Sequence, residues 1–262
     1  MAHTWRSRFA AIVTLFALAG CADSGPDAPI LKAAMAPLPV HASVAPYRSW
    51  EKLAELPWPQ GGQRTYQNYE EARRIFWKKL YPAGGTDLYC GVSFDSDRSA
   101  APIDDNLSVE HVYPADAIAE TEPGCTNRTC SAARVQRAMA DLQNLWPALQ
   151  KVNSSRSRLR YGTLAQTVKP RFPEVCPSFR RGIGTQAVVE PRDEVKGDVA
   201  RSIIYMHFVY GLPLEDAVSE KQLLLDWMAK DPPDVEELRR NTLIDSLQGT
   251  TNPLLEAAFM GM

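Results

Sequence analysis

Histidine is scarce in this chain and never paired at metal-site spacing: the four stand at His3, His41, His111 and His207. No Cys-x-x-Cys occurs either, so a zinc centre built on thiolates and imidazoles is not expected. Long hydrophobic runs are also missing. The uncharged segment from Phe9 to Gly20 has twelve residues, short of the roughly twenty that a membrane-spanning helix needs. No internal repeat is visible, and no strong charge of either sign dominates. A net charge of −2 over 262 residues, with 45% hydrophobic and 23% charged, describes an ordinary globular protein. Taken as a bulk value, it does not point to a nucleic-acid partner.

The charge is nevertheless uneven. Between Arg128 and Arg181 there are eleven Lys and Arg against two acids, Asp141 and Glu174. A local positive surplus of this kind suits a polyanionic substrate. A solvated surface face is the plain alternative.

At the amino end, Arg6 and Arg8 precede the uncharged stretch, which stops at Leu18-Ala19-Gly20-Cys21. Residues 1–21 read as an export signal, and the small residues before Cys21 resemble a bacterial lipoprotein processing site. That resemblance implies cleavage before Cys21 and acylation of its thiol. A plain secretory peptide with an incidental cysteine is the alternative. Residues 22–46, rich in Ala and Pro, read as a flexible tether, and residues 47–262 as one folded domain.

Within that domain, Tyr66, Tyr69, Ala72, Phe76 and Leu80 recur at steps of three and four, predicting a helix ended by Pro82-Ala-Gly-Gly. Thr86 to Phe94 reads as a short strand and Leu107 to Val112 as another. Pro114 to Thr129 reads as a loop, and Ser131 to Leu145 as a helix broken at Trp146-Pro147. A basic loop is expected from Asn153, then an irregular Pro-rich piece from Pro170 to Gly184. Three helices are expected last, over 191–210, 215–229 and 235–247. Their apolar stripes read as core.

In an exported chain the four remaining cysteines favour two disulfides. Three pairings are possible; Cys125–Cys130 as a local clasp and Cys90–Cys176 as a long staple are preferred.

His207 sits among Met206, Phe208 and Val209 and reads as structural. His111 differs, because Glu110 precedes it in strand-like sequence. A carboxylate offers a hard oxygen ligand, and an imidazole takes a proton near neutral pH. The pair gains meaning from its place in a series of motifs: Glu110-His111-Val-Tyr-Pro, then Asp141-Leu-Gln143-Asn144-Leu-Trp-Pro, then Val152-Asn153-x-x-Arg156-Ser. With Tyr89-Cys90-Gly before them, and Lys196-Gly197-Asp198-Val-Ala-Arg201 and Gln248-Gly249-x-x-Asn252-Pro253 after, these motifs resemble the bacterial endonuclease I family over roughly residues 65–255.

The resemblance implies an α+β fold, mainly helical around a small ββα-metal (His-Me finger) core. Glu110 and Asn153 would hold one Mg²⁺, or another divalent cation such as Mn²⁺ or Ca²⁺. His111 would be the general base, and Arg128 or Arg156 would brace the phosphate. Asn144 would support the site, as would Gln143, which stands where the family commonly has His. The implied protein is a monomeric, nonspecific endonuclease acting on DNA, with RNA as a further candidate substrate, and leaving 5′-phosphate ends. It would work in the periplasm or on the outer membrane, held by its lipid anchor. An inactive lipid-anchored binding or scaffold protein, and a small-substrate phosphodiesterase, are the competing readings.

Overall fold

The computed structural model describes residues 49–100, 103–126 and 129–259. The export signal, Cys21, the tether and Arg128 lie outside the described residues. Helix α1 (Trp50–Ala54) is followed by α2 (Tyr69–Ile75), which continues as one wide turn over Phe76–Leu80. The side chain of Asn68 accepts from the Glu71 amide and starts α2. The expected beginning at Tyr66 is therefore three residues early. Gly84 ends the turn region with φ +92°, and a Cβ there would lie 2.0 Å from the Phe94 carbonyl.

The strand expected over Thr86–Phe94 is instead a hairpin of β1 (Gly85–Thr86) and β2 (Ser93–Phe94). Asp87 makes the difference. Its carboxylate accepts from the amides of Tyr89, Cys90 and Val92, and this turns the chain.

β3 (Ser99–Ala100) and β4 (Ile103–His111) come next. Two short helices follow, α3 (Ala115–Glu120) and α4 (Ala133–Met139). α3 occupies a stretch expected to be loop: its flanking Pro and Gly mark the ends of a helix, and Ala-Asp-Ala-Ile-Ala-Glu between them is good helix-forming sequence. α4 ends at Met139, earlier than expected, and residues 145–149 form a strand, β5 (Leu145–Leu149). Pro147 is tolerated because β5 is an edge strand in the order β3-β4-β5.

The expected loop at Asn153 is helix α5 (Gln150–Arg156), which lies against β4. The expected irregular piece after Pro170 contains two strands of a four-stranded sheet. That sheet has β6 (Arg160–Tyr161), β7 (Pro170–Phe172), β8 (Cys176–Arg181) and β9 (Val188–Glu190) in the order β6-β9-β8-β7. β7 and β8 form a local hairpin, with Phe172 opposite Cys176, but Pro170, Pro173 and Pro177 interrupt the alternation that would mark strands in the sequence.

The last third carries the three expected helices, α6 (Lys196–Tyr210), α7 (Gln222–Lys230) and α8 (Val235–Gln248), and a fourth beyond those expected, α9 (Pro253–Phe259). Val195, Val199, Ile203, Met206 and Val209 are all buried. Short 3-10 turns at Asp193–Val195 and Leu214–Asp216 account for the later starts of α6 and α7. Arg201 of α6 pairs with Asp198 at 3.1 Å and with Glu237 of α8, both buried. Arg240 of α8 stacks 3.8 Å from the Trp146 ring and donates to the Leu145 carbonyl at 2.8 Å, bracing β5. The motifs flanking the candidate site are thus scaffold.

Both preferred disulfides form. Cys125–Cys130 closes a loop, and Cys90–Cys176 joins the β1–β2 turn to β8.

Candidate metal centre

β4 and β5 run antiparallel, with Ser108 opposite Ala148, Glu110 opposite Trp146 and His111 opposite Leu145. Alternation puts Ser108 and Glu110 on one face of β4, and Val109 and His111 on the other. α5 meets the first face. Asn153 and Arg156, three residues apart on α5, point at it together.

Glu110 is 1% exposed. Its Oε1 accepts from the Tyr89 hydroxyl at 2.7 Å and faces Arg156 Nη1 at 3.2 Å. Because Tyr89 gives its one hydrogen to Glu110, the Tyr161 hydroxyl, 2.6 Å behind it, is the donor to Tyr89. No group among the described residues hydrogen-bonds Oε2. Burial pushes the Glu110 carboxyl above its usual range, while Arg156 and Tyr89 pull it back.

Arg156 is as enclosed as Glu110. Its Nη1 donates to the carbonyls of His111 (3.0 Å) and Ser157 (3.1 Å), its Nη2 to that of Val112, and its guanidinium lies 4.7 Å from the Tyr161 ring. The sequence reading gives this residue a phosphate; the structure gives it Glu110 and three main-chain oxygens.

Asn153 ties its Nδ2 to Ser108 Oγ at 2.9 Å and to the Val109 carbonyl at 3.1 Å. Its Oδ1 bonds nothing among the described residues.

The His111 ring lies against Tyr69, with centroids 4.9 Å apart. Its Nε2 is 2.8 Å from the Met139 carbonyl. A carbonyl only accepts, so Nε2 carries the hydrogen and Nδ1 of the neutral ring is bare. Burial lowers the ring's pKa to about 4.

Asn144 grips the chain just past His111. Its Oδ1 accepts from the Tyr113 amide at 2.6 Å and its Nδ2 donates to the Tyr113 carbonyl at 3.0 Å. Gln143 reaches the other way, to Asn241 of α8 at 2.8 Å.

Among the described residues, no three His, Cys, Asp or Glu side chains gather as a metal cluster. The donors that are available are one carboxylate oxygen and one carboxamide oxygen. That set fits a hard divalent cation that keeps most of its own waters, and does not fit zinc.

The endonuclease I family profile matches residues 64–258. The chain belongs to the endonuclease I family. It is 29% identical over 197 residues to a periplasmic deoxyribonuclease of Aeromonas hydrophila, covering 68% of this chain and 81% of that one. An Endonuclease-1 of Buchnera aphidicola is 28% identical over 185 residues, covering 68% and 69%. An extracellular ribonuclease of Bacillus amyloliquefaciens is 32% identical over 132 residues, covering 44% and 43%.

This endonuclease surrounds its candidate centre with residues that sequence reasoning did not single out. Ser108 had a legible signal, since it stands two positions before Glu110 on a strand and so shares its face. Tyr89 stands in the Tyr89-Cys90-Gly motif. Tyr161 lies five positions after Arg156, at the start of the four-stranded sheet, and no motif marks it. The basic surplus also thins out. Arg156 is enclosed, Arg158 pairs with Glu120, and Arg180 pairs with Glu190. Lys169 and Arg171 are exposed and join no ion pair among the described residues.

Proposed function

We propose that the protein is an exported, metal-dependent endonuclease that hydrolyses DNA with little sequence preference, RNA being the further candidate substrate. In this reading β4, β5 and α5 form a ββα-metal core. The observation that carries it is the pair of unbonded oxygens, Glu110 Oε2 and Asn153 Oδ1, where α5 meets the Ser108–Glu110 face of β4; His111, whose Nδ1 is bare, follows Glu110 directly on the strand.

Each side chain then has one task. Glu110 and Asn153 hold Mg²⁺, or another divalent cation such as Mn²⁺ or Ca²⁺. When bound, the cation neutralises charge that develops on the phosphate in the transition state. His111 takes a proton at Nδ1 from the attacking water, and its Nε2–H to Met139 keeps the ring in the tautomer that can do so. The water oxygen bonds to phosphorus as the bond to the 3′ oxygen breaks, and a second water gives that oxygen its proton, leaving 5′-phosphate ends. Arg156 holds Glu110, so bracing the scissile phosphate falls to Arg128. Lys169 and Arg171 supply backbone attraction that reads no bases.

Residues 1–21 direct export, Cys21 carries the lipid anchor, and residues 22–46 let a monomeric domain, 47–262, reach its substrate from the membrane. No helix among the described residues is long and apolar enough to cross a membrane.

The test is plasmid nicking by the purified protein. Mg²⁺-dependent cleavage that EDTA stops, and that His111→Ala loses by a factor of about 10² or more, is expected. Cleavage in EDTA, or an active His111→Ala protein, contradicts the mechanism.

A further inference from the structure

A carboxamide has two ends of similar size, and a hard cation is held by only one of them. For Asn153 to serve as a ligand, something must decide that Oδ1 and not Nδ2 faces the cation. The structure identifies what decides it.

The Ser108 hydroxyl carries one hydrogen and gives it to the Ala148 carbonyl, its register partner on β5, at 3.1 Å. Toward α5 the same oxygen can therefore only accept. The Val109 carbonyl, the other group facing the Asn153 carboxamide, is also an acceptor. Asn153 answers both with Nδ2, at 2.9 Å and 3.1 Å, which uses its two hydrogens. Turned over, Oδ1 would face two acceptor oxygens and the cation would meet an N–H. The strand pairing of β4 with β5 thus sets the hydroxyl, and the hydroxyl sets the amide.

We propose that Ser108 is a positioning residue of the metal centre: it fixes the Asn153 carboxamide with Oδ1 toward the cation, without touching cation or substrate. The proposal rests on the reading of Glu110 and Asn153 as metal ligands. The main-chain oxygen of Val109 cannot be removed by substitution, so Ser108 is the side chain through which the orientation can be tested.

The experiment measures Mn²⁺ binding to the purified full chain by electron paramagnetic resonance, without nucleic acid. Thermal melting of each variant accompanies it. Ser108→Thr keeps an acceptor oxygen, and Ser108→Val matches the shape of Thr without one. Val is expected to weaken Mn²⁺ binding roughly tenfold, as loss of an outer partner of a ligand does, and Thr is expected to stay within about twofold of the parent. A second arm uses Asn153→Asp. A carboxylate has two equivalent oxygens and needs no orienting, so adding Ser108→Val to Asn153→Asp should change the affinity little.

Equal Mn²⁺ affinity in the Val and Thr variants overturns the positioning role, as does a Val effect just as large in the Asn153→Asp background. Failure of the underlying reading looks different: Asn153→Ala and Glu110→Ala would then bind Mn²⁺ as the parent does.

Discussion

The Tyr89 hydroxyl donates to Oε1 of Glu110 across 2.7 Å, from a loop twenty-one residues earlier in the chain. The same oxygen faces Arg156, and Tyr161 supports Tyr89 from behind. One edge of the carboxylate is thereby fastened to the protein body, and the other makes no hydrogen bond among the described residues.

Removing that hydroxyl should weaken the grip on the cation and little else. Tyr89→Phe keeps the ring on Phe179, 5.4 Å away, but loses a hydrogen bond to a charged acceptor, worth about 1.5–3 kcal/mol. The Mg²⁺ concentration for half-maximal nicking should rise roughly tenfold or more, with kcat at saturating metal falling less. An unchanged metal dependence would show that Tyr89 does not hold Glu110 in solution.

Arg156 should matter for stability before it matters for chemistry. Arg156→Ala leaves Glu110 buried without its cation, a change that costs about 3–5 kcal/mol. Urea unfolding should show this loss, and Arg156→Ala combined with Glu110→Gln should recover part of it. If the single variant unfolds like the parent yet fails to cut, Arg156 acts on the substrate and not on Glu110.

The acid limb of kcat/KM should lie near pH 4, where burial places His111, and not near the unperturbed value of about 6.5. The neutral ring is the base, so activity is kept above this value and lost as pH falls through it. The same depression bears on folding. Between about 6.5 and 4 the unfolded chain binds the proton and the folded chain does not, so stability should decline as pH falls across that window. A pH–rate profile with its limb at 6.5 would mean that the ring is hydrated in the working enzyme.

The two disulfides should differ in weight. Cys90–Cys176 spans 86 residues and Cys125–Cys130 spans 5. Chain entropy assigns about 4–5 kcal/mol to a loop of the first length and about 2 kcal/mol to the second. Denaturant midpoints of the Cys90→Ala/Cys176→Ala and Cys125→Ala/Cys130→Ala proteins should fall in that order. The reverse order would mean that the shorter bridge supports more than its own loop.

Much of this protein was determined by local sequence. The periodic stripe from Val195 to Val209 forms a helix because burying an apolar face requires only residues three and four apart; the helix over 235–248 differs, since it buries Glu237, Arg240, Asn241 and Gln248 around Ile244 and leaves Val235 exposed. Glu110, His111, Asn144 and Asn153 were legible as a set because their types and order carry the family's motif. Tertiary structure alone decided the rest. The strands of 170–181 pair locally, but their prolines hide the alternation, and the helix carrying Asn153 packs on β4, some forty residues earlier. The enclosure of Arg156 depends on Glu110, forty-six positions earlier, and on the carbonyls of His111 and Val112 beside it. Which oxygen of Glu110 and which end of Asn153 remain free depends on the hydrogen-bond partners that folding supplies. A residue name states what a side chain can bond, but only its neighbours in space settle which of those bonds are already made.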